Sequence, residues 1–399
     1  MNLKTFHIDQ ELLIRVDQKQ KQIGEYLLNC NLDYTDMVGL MDGLAGVGLL
    51  LSLFYRYTND GRYLDGLNQT IELMNEKIYT GKTTITSYCS GIAGYAWLIL
   101  YLKEKDLIEV DLDDYLYDID LALTKSVAQM IEIKKFDQLH GAVGIGSYFL
   151  KRGNMKIVKQ IIDGLFNQRK NINNNLTWSW IKDDHEILDF GLAHGIPGTL
   201  FFLFKCFLKN ISPQKSAEMI RDNVSFMLNY LNLSGIPSYF PYSIDCDQIM
   251  QHDKKQNRSR LAWCYGDLTL LYVLLKLSPL FPVQIPLIPM LEHVAKRRSS
   301  TETLVKDAGL CHGSSGVAQI FYRLYRNTGN TGFEEAGKYW LAKTLLLGNE
   351  ADGCAGYVFS ENKNMLPLDL LVGVSGVGSV LLSFQNPELM DWDEIMFLK

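Results

Sequence analysis

Two cysteines and a histidine give this 399-residue chain its most specific chemical signal. Cys264 stands in Trp263-Cys264-Tyr265-Gly266, and the other two residues stand in Leu310-Cys311-His312-Gly313. Each cysteine lies two residues before a glycine that opens an apolar run. Two thiolates and one imidazole form a zinc ligand set that leaves one coordination position open, as catalytic zinc sites do. The pattern therefore predicts a metal site assembled from two distant parts of the chain.

A second histidine occurs in the same setting, in Gly191-Leu-Ala-His194-Gly195. Imidazole titrates near neutral pH, so His194 is the candidate acid or base beside the metal. Cys89 and His140 are also in phase with their glycines, and the pattern alone keeps both as candidate ligands. The remaining cysteines are out of phase and are predicted to be structural: Cys30, Cys206, Cys246 and Cys354.

The glycines themselves repeat along the chain. Their first members are spaced by 48, 50, 54, 71, 47 and 60 residues, which indicates an array of seven like units. The units are Gly43-Leu-Ala-Gly46, Gly91-Ile-Ala-Gly94, Gly141-Ala-Val-Gly144, Gly195-Ile-Pro-Gly198, Gly266-Asp-Leu-Thr269, Gly313-Ser-Ser-Gly316 and Gly373-Val-Ser-Gly376.

Glycine before a helix permits a positive φ and a close approach of backbone to backbone. If all seven helices start at one end of the array, the residues just before the glycines converge there. The run Val47 to Tyr55 is apolar nearly all round, which is typical of a buried helix. Stripes such as Leu67, Ile71, Met74 and Ile78, or Ile220, Val224, Met227 and Leu231, are typical of amphipathic outer helices. With few strand signals, the pattern predicts an all-α protein in two layers.

The bulk properties exclude several classes of protein. A net charge of −6 gives no basic footprint for nucleic acid. The N-terminus lacks a signal-like apolar stretch, and the run Leu44 to Tyr55 is too short to span a bilayer. Seven widely spread cysteines favour free thiols or metal ligands in a reducing compartment. We therefore expect a cytoplasmic protein.

Three polar segments interrupt the repeat, at residues 167–184, 245–260 and 350–367. Each precedes a glycine unit, so they are expected to form a rim or lid at one end of the array. The alternative is that they are variable surface connections. The last unit, Gly373 to Leu382, is as apolar as the internal ones. An open array would need a polar capping face, so a closed, single domain over residues 1–399 is expected.

The three histidine and cysteine motifs, in this order, resemble those of the lanthionine synthetase C-like family, the lanthipeptide cyclases. The glycine units extend the resemblance over residues 43 to 380. It implies a closed α/α toroid with seven inner helices, and one zinc ion bound by Cys264, Cys311 and His312. Cys89 and His140 are not expected as ligands in this family. Thr269 and Pro197 depart from the glycine units, and no segment is long enough to promise an inserted rim domain.

The resemblance also implies a reaction. A peptide cysteine thiol adds to dehydroalanine or dehydrobutyrine and forms a thioether ring. Zinc deprotonates a coordinating thiol, which at a pKa near 8.5 is otherwise mostly protonated. Attack produces an enolate that needs stabilisation and a proton.

Four more residues are implied to line the site. Arg260 can stabilise the enolate, His194 can donate the proton, Asp137 can orient His194, and Tyr265 can contribute a hydrogen bond. Asp137 matches through its offset of four residues from Gly141, an offset that Asp369 shares relative to Gly373.

The implied partner is a dehydrated precursor peptide with a leader, and a dehydratase and an exporter are further candidates that would bring the chain to a membrane. Three alternatives are kept open. A protein prenyltransferase would need a second subunit and a basic pyrophosphate pocket. A relative of the eukaryotic members would add glutathione or another thiol to dehydrated residues. A helical scaffold would hold zinc only structurally, with Cys89 as the fourth ligand.

Overall fold

The computed structural model describes residues 6–182, 184–247, 259–359 and 367–399. The chain forms two compact units. The first unit comprises the residues up to Ala122 together with Val305–Lys399, and the second comprises Leu123–Leu304. Among the described residues, no helix is long and apolar enough to cross a membrane.

Helices account for most of the secondary structure. In chain order they are α1 (Gln10–Leu28), α2 (Leu44–Thr58), α3 (Gly61–Tyr79), α4 (Ile92–Glu104), α5 (Leu112–Tyr115), α6 (Tyr117–Glu132), α7 (Ala142–Arg152), α8 (Met155–Asn167), α9 (Ile196–Leu208), α10 (Pro213–Leu228), α11 (Asp267–Leu277), α12 (Leu287–Ala295), α13 (Ser300–Thr303), α14 (Ser314–Thr328), α15 (Thr331–Leu346), α16 (Val374–Gln385) and a final 3₁₀ helix (Pro387–Met396).

Within the described ranges, each of the seven glycine units opens a helix, as the repeat predicts. These helices are buried nearly all round; in α4, every residue from Ile92 to Leu102 is buried. In the first unit, α2 packs against α3, α4 and α16, and in the second, α9 packs against α7, α10 and α11. The predicted stripes lie on α3 and α10, although Leu231 falls beyond the end of α10 at Leu228.

Close contact with neighbouring backbone explains why the first residue of most units is glycine. Six of the seven are helix N-caps with φ between −132° and −100°, an extended backbone open to any residue. A Cβ on Gly91, however, would lie 2.1 Å from the carbonyl oxygen of Ile85, and one on Gly195 would lie 2.2 Å from that of Asp189. Gly266 is the exception, because its φ is +121° and its Cβ would lie 1.7 Å from the carbonyl oxygen of Arg260. Both roles expected of glycine from the sequence are therefore found: close backbone approach at the first glycines, and a positive φ at Gly266.

The second glycine of a unit lies in the first turn of the helix and packs against the loop that precedes the helix. A Cβ on Gly316 would lie 1.8 Å from the carbonyl oxygen of Leu310. Unit five has Thr269 in this place, and its hydroxyl donates a hydrogen bond of 2.5 Å to the carbonyl of Ala262. The departure from glycine is therefore accommodated by a polar contact with the loop carbonyl.

The loops before the glycines are joined to each other by main-chain hydrogen bonds. In the first unit, the N–H of Cys311 donates to the carbonyl of Leu371 (2.7 Å), the N–H of Leu371 to Met41 (2.7 Å), and the N–H of Met41 to Cys89 (2.9 Å). All four residues lie two positions before a first glycine. We call this series the loop ladder. It places equivalent positions of successive loops side by side, as the phase of the repeat predicts.

Five short strands were not expected from the sequence. The strands β1 (Lys170–Ile172) and β2 (Asn175–Thr177) form a hairpin, and a three-stranded antiparallel sheet has the order β3 (Trp180–Lys182), β4 (His185–Asp189), β5 (Ser243–Asp245). The segment 167–184 is therefore largely a β structure rather than a plain loop.

The hairpin turns at Asn173 and Asn174, both with positive φ, the geometry of a two-residue turn that asparagine tolerates. Polar strands of three residues give too little alternation to be recognised by pattern. Residues 248–258 and 360–366 of the other two predicted rim segments lie outside the described residues.

The first and last glycine units pack together in the first unit of the structure. Helix α16 contacts α2, and the N–H of Leu371 donates to Met41 within the loop ladder. This is the contact that a closed array requires. The organisation of residues 1–399 as a single domain stays a prediction.

We expect Gly376→Ala to destabilise the fold by about 2 kcal/mol or more, because its Cβ would lie 2.0 Å from the carbonyl oxygen of Leu370. Gly61→Ala is the matched control, since nothing lies within 4 Å of its Cβ position at the start of α3. That change should be neutral or stabilise by up to about 1 kcal/mol. Chemical denaturation of both variants measures the difference, and equal stabilities would contradict the close-approach account.

Candidate functional site

Two loops with one sequence pattern carry the candidate histidines. They read Asp189-Phe-Gly191-Leu-Ala-His194-Gly195 and Asp307-Ala-Gly309-Leu-Cys311-His312-Gly313. In the first, the Asp189 carboxylate accepts the N–H of Gly191 at 2.7 Å; in the second, the Asp307 carboxylate accepts the N–H of Gly309 at 2.9 Å. The same turn therefore places a histidine directly before each helix.

The structure brings the three predicted ligands together. Cys264, Cys311 and His312 each offer one ligand atom, and these atoms lie within 4.8 Å of one another. Both cysteines are buried, and the histidine is half-buried. Thiolate and imidazole at this spacing form a group that could hold a metal ion, and the donor set suits zinc.

The other cysteines and His140 do not join this group in the part of the chain that the structure describes. Cys89 is buried in the first unit, where burial raises the pKa of its thiol well above the ordinary value and Asp42 adds to the rise. The scaffold alternative, with Cys89 as a fourth zinc ligand, therefore has no support from the geometry of the described residues.

The loop of Cys264 is fixed by the residues that follow the cysteine. Gly266 turns the chain with its positive φ, and Asp267 then starts α11 with a fully buried carboxylate. That carboxylate accepts a hydrogen bond of 2.7 Å from Arg297 and the N–H groups of Tyr239 and Phe240. A carboxylate in the first turn also suits the helix dipole. The position of Cys264 thus depends on a buried ion pair that neighbours it in the chain.

Cys264 is also joined directly to the loop of His194. Its carbonyl oxygen accepts the N–H of Leu192 at 2.8 Å and that of Ala193 at 3.4 Å. This is the second unit's counterpart of the loop ladder. Main-chain hydrogen bonds therefore hold a candidate metal ligand beside the candidate acid.

Asp137 and His194 form a pair in the second unit. The Oδ1 of Asp137 lies 3.1 Å from the Nδ1 of His194, and it also accepts the N–H groups of Leu139 (3.1 Å) and His140 (2.8 Å). The carboxylate is therefore held by its own loop and presented to the imidazole. Because Nδ1 faces the carboxylate, Nε2 is the nitrogen left for a substrate.

The electrostatics favour the ion pair. Burial alone would lower the pKa of His194, but the hydrogen bond and charge of Asp137, helped by Asp189, raise it above the ordinary value. Burial would raise the pKa of Asp137, but His194 and the N–H of His140 hold it below its ordinary value. His194 is thus kept protonated at a higher pH than a histidine in water, which suits a proton donor.

Tyr265 and Arg260 belong to the same loop as Cys264. The Tyr265 ring lies 6.5 Å from the His194 ring, centroid to centroid, and 6.1 Å from that of Tyr242. Gly191 makes room for it, because a Cβ there would lie 2.5 Å from the Tyr265 ring. Arg260 is half-buried, and its carbonyl oxygen is the atom on which Gly266 packs. The two implied site residues therefore flank Cys264 in one short turn.

Comparison with known proteins identifies the family of the chain. A family model described as lanthionine synthetase C-like protein matches residues 35–397. The chain belongs to the lanthionine synthetase C-like family. The match confirms the family predicted from the motifs and the expected type of enzyme.

Two curated relatives illustrate the range of the family. The nisin biosynthesis protein NisC of Lactococcus lactis subsp. lactis is 27% identical over 350 residues, 80% of each chain. The glutathione S-transferase LANCL1 of Danio rerio is 24% identical over 320 residues, 75% of this chain and 72% of the relative.

Among solved structures, nisin cyclase superposes with a TM-score of 0.75 at 20% identity and covers 98% of both chains. Its fold is an α/α toroid, so the predicted fold class is confirmed.

Sequence reasoning missed Asp189, and it kept His140 only as a candidate metal ligand, not as a neighbour of His194. Asp189 fixes the His194 loop and contributes to the raised pKa, and the ring of His140 stacks on that of His194. The first had a signal, since the Asp-x-Gly start recurs at Asp307, six residues before its glycine. His140 had a signal in its position directly before Gly141, but its stacking on His194 had none, because stacking depends on how two loops meet.

We expect Asp137→Asn to lower the pKa of His194, because the amide removes the negative charge while retaining an acceptor for the loop N–H groups. The imidazole Cε1–H signal of His194, followed by NMR across pH, measures the change. Asp163→Asn is the control, since Asp163 pairs with Lys215 and does not contact His194. An unchanged titration in Asp137→Asn would show that the carboxylate does not set this pKa.

Proposed function

We propose that this protein is a zinc-dependent lanthipeptide cyclase that adds peptide cysteine thiols to dehydroalanine or dehydrobutyrine and forms (methyl)lanthionine rings. One observation carries the proposal. Cys264, a member of the three-residue metal-binding group, is hydrogen-bonded through its carbonyl to the loop of His194, the histidine that pairs with Asp137. A site for a thiol-binding metal and a proton donor are therefore built from adjoining loops.

Cys264, Cys311 and His312 would hold the metal, and two thiolates with one imidazole are a ligand set that catalytic zinc sites use. Zinc there would supply deprotonation of a coordinated substrate thiol. The other steps fall to the chain's own residues, and their roles follow from charge and geometry.

Thiolate addition to the β-carbon of the dehydro residue forms the C–S bond and moves the π electrons to the carbonyl, which gives an enolate. Arg260 carries a permanent positive charge and would stabilise that developing anion. His194, charged and held through Nδ1 by Asp137, would donate the Nε2 proton to the α-carbon. Tyr265, in ring contact with His194, would help to position the substrate carbonyl. The thiol proton released at the start restores His194, so no net proton is consumed.

Glutathione addition is the second candidate, and the name of the zebrafish relative favours it. Both reactions use a thiolate and a dehydrated residue, and they differ in whether the thiol belongs to the same peptide. The partner proposed here is a dehydrated precursor peptide with its leader, acting in the cytoplasm. A dehydratase and an exporter are proposed as further partners.

We expect the purified protein to contain one equivalent of zinc, and Cys311→Ala to lose it because two ligands cannot hold the ion tightly. Cys89→Ala is the matched control, since Cys89 has the same offset from its glycine and lies outside the metal-binding group. Elemental analysis after dialysis against a weak chelator measures the content. Full zinc in Cys311→Ala would refute the ligand set.

We expect His194→Asn to retain zinc but to slow cyclisation by roughly a hundredfold or more, the usual size of general acid catalysis. A dehydrated, cysteine-containing precursor is treated with each variant, and remaining thiols are alkylated and counted by mass spectrometry. His185→Asn is the control, because His185 lies on β4 of the same unit with a largely exposed side chain.

The assay also separates the alternatives. A ring consumes one alkylatable cysteine without changing the mass, whereas added glutathione increases the mass. Wild-type rates in His194→Asn would assign the acid elsewhere, and loss of zinc would place His194 among the ligands.

A further inference from the structure

The ring of His140 lies against the ring of the proposed acid. The centroids of His140 and His194 are 5.8 Å apart and the ring planes differ by 15°, which is a stacked arrangement. Both residues lie directly before the first glycine of their units. His140 does not belong to the metal-binding group of the described residues, so its place beside His194 has a different role.

Asp137 connects the two histidines. Its Oδ1 accepts the backbone N–H of His140 at 2.8 Å and lies 3.1 Å from the Nδ1 of His194. The backbone of His140 therefore helps to fix the carboxylate, while its side chain covers the imidazole that the carboxylate holds. His140 therefore restrains both Asp137 and His194.

The imidazole of His194 needs such a restraint. Its side chain remains 37% exposed, and the contact with Asp137 fixes only one edge of the ring. The torsion that turns an imidazole about its Cβ–Cγ bond has a broad energy profile, so one hydrogen bond leaves the ring room to swing. Tyr265 contacts the ring at a tilt of 37°, a looser cover than the stack of His140. The near-parallel ring of His140 is therefore the better restraint on the plane of the imidazole.

We propose that His140 is a positioning residue for His194: its flat ring holds the imidazole in one orientation, so that Nε2 is aimed at the substrate α-carbon. The effect on rate rests on the cyclase function proposed above. The effect on the orientation of the ring does not, and it is measurable without substrate.

The test compares His140→Ala, which removes the ring, with His140→Phe, which keeps a flat ring but no imidazole nitrogen. Both retain the backbone N–H that fixes Asp137. His185→Phe is the control, because the His185 side chain lies on β4 of the same unit and is largely exposed. His140→Leu, which fills the space without a flat ring, replaces the alanine variant if that variant does not fold.

Three quantities are measured on the zinc-loaded proteins: zinc content, the NMR signals of the His194 imidazole without substrate, and kcat and KM for the dehydrated precursor. For His140→Ala we expect unchanged zinc and KM, a kcat lower by about tenfold or more, and His194 signals broadened by exchange. For His140→Phe we expect kcat within about threefold of wild type and sharp His194 signals. The control should match wild type.

Two results would overturn the proposal. Wild-type kcat and sharp signals in His140→Ala would show that the stack does not orient His194. Equal losses in the alanine and phenylalanine variants would show that the imidazole itself is needed, which is a chemical role and not a positioning one. If the wild-type protein forms no thioether, the cyclase function fails instead, and the NMR comparison still decides whether His140 orders the ring.

Discussion

Close contact between backbone and backbone at the glycines positions the described side chains of the candidate site. At the first glycines a Cβ would fall within 1.7–2.4 Å of main-chain atoms, many of them in the loop just before the helix. With no side chain in the way, each loop folds tightly onto the start of its helix. Its N–H and C=O groups are then satisfied largely by neighbouring loops, as in the ladder from Cys311 through Leu371 and Met41 to Cys89. Residues far apart in the sequence thus lie side by side within one unit of the structure.

Buried carboxylates in the loops before the helices set the electrostatics of the candidate site. Asp137, Asp189 and Asp307 are each at least 92% buried, and each accepts backbone N–H groups of its own loop. For Asp137, these hydrogen bonds and the contact with His194 hold the pKa of the carboxylate below its ordinary value despite burial. For Asp137 the result is a fixed negative charge facing His194, and this charge raises the pKa of the histidine. The loops therefore shape the site electrostatically as well as sterically.

The sequence predicts the repeat and the helices, because offsets from a glycine survive folding unchanged. The offsets also selected Cys264, Cys311 and His312, which the structure groups, but they kept Cys89 and His140 as candidates that only the family resemblance removed. The pairing of Asp137 with His194 came from family resemblance, and the structure shows the contact. The small sheets escaped detection, since β1 and β3 have three residues each and carry no clear alternation. The stack of His140 on His194 also escaped, because a periodic pattern states which residues share an edge but not which side chains touch across it.

The loop ladder has a consequence for how these loops can change in evolution. Its hydrogen bonds use only main-chain atoms. The residues that form them differ in side chain: cysteine at Cys89 and Cys311, methionine at Met41 and leucine at Leu371. The loop ladder therefore does not depend on which side chain stands at each of these positions. Mutation at these positions can exchange one functional group for another while the architecture is inherited intact. A relative could thus acquire different chemistry by substitution at these four positions of the ladder.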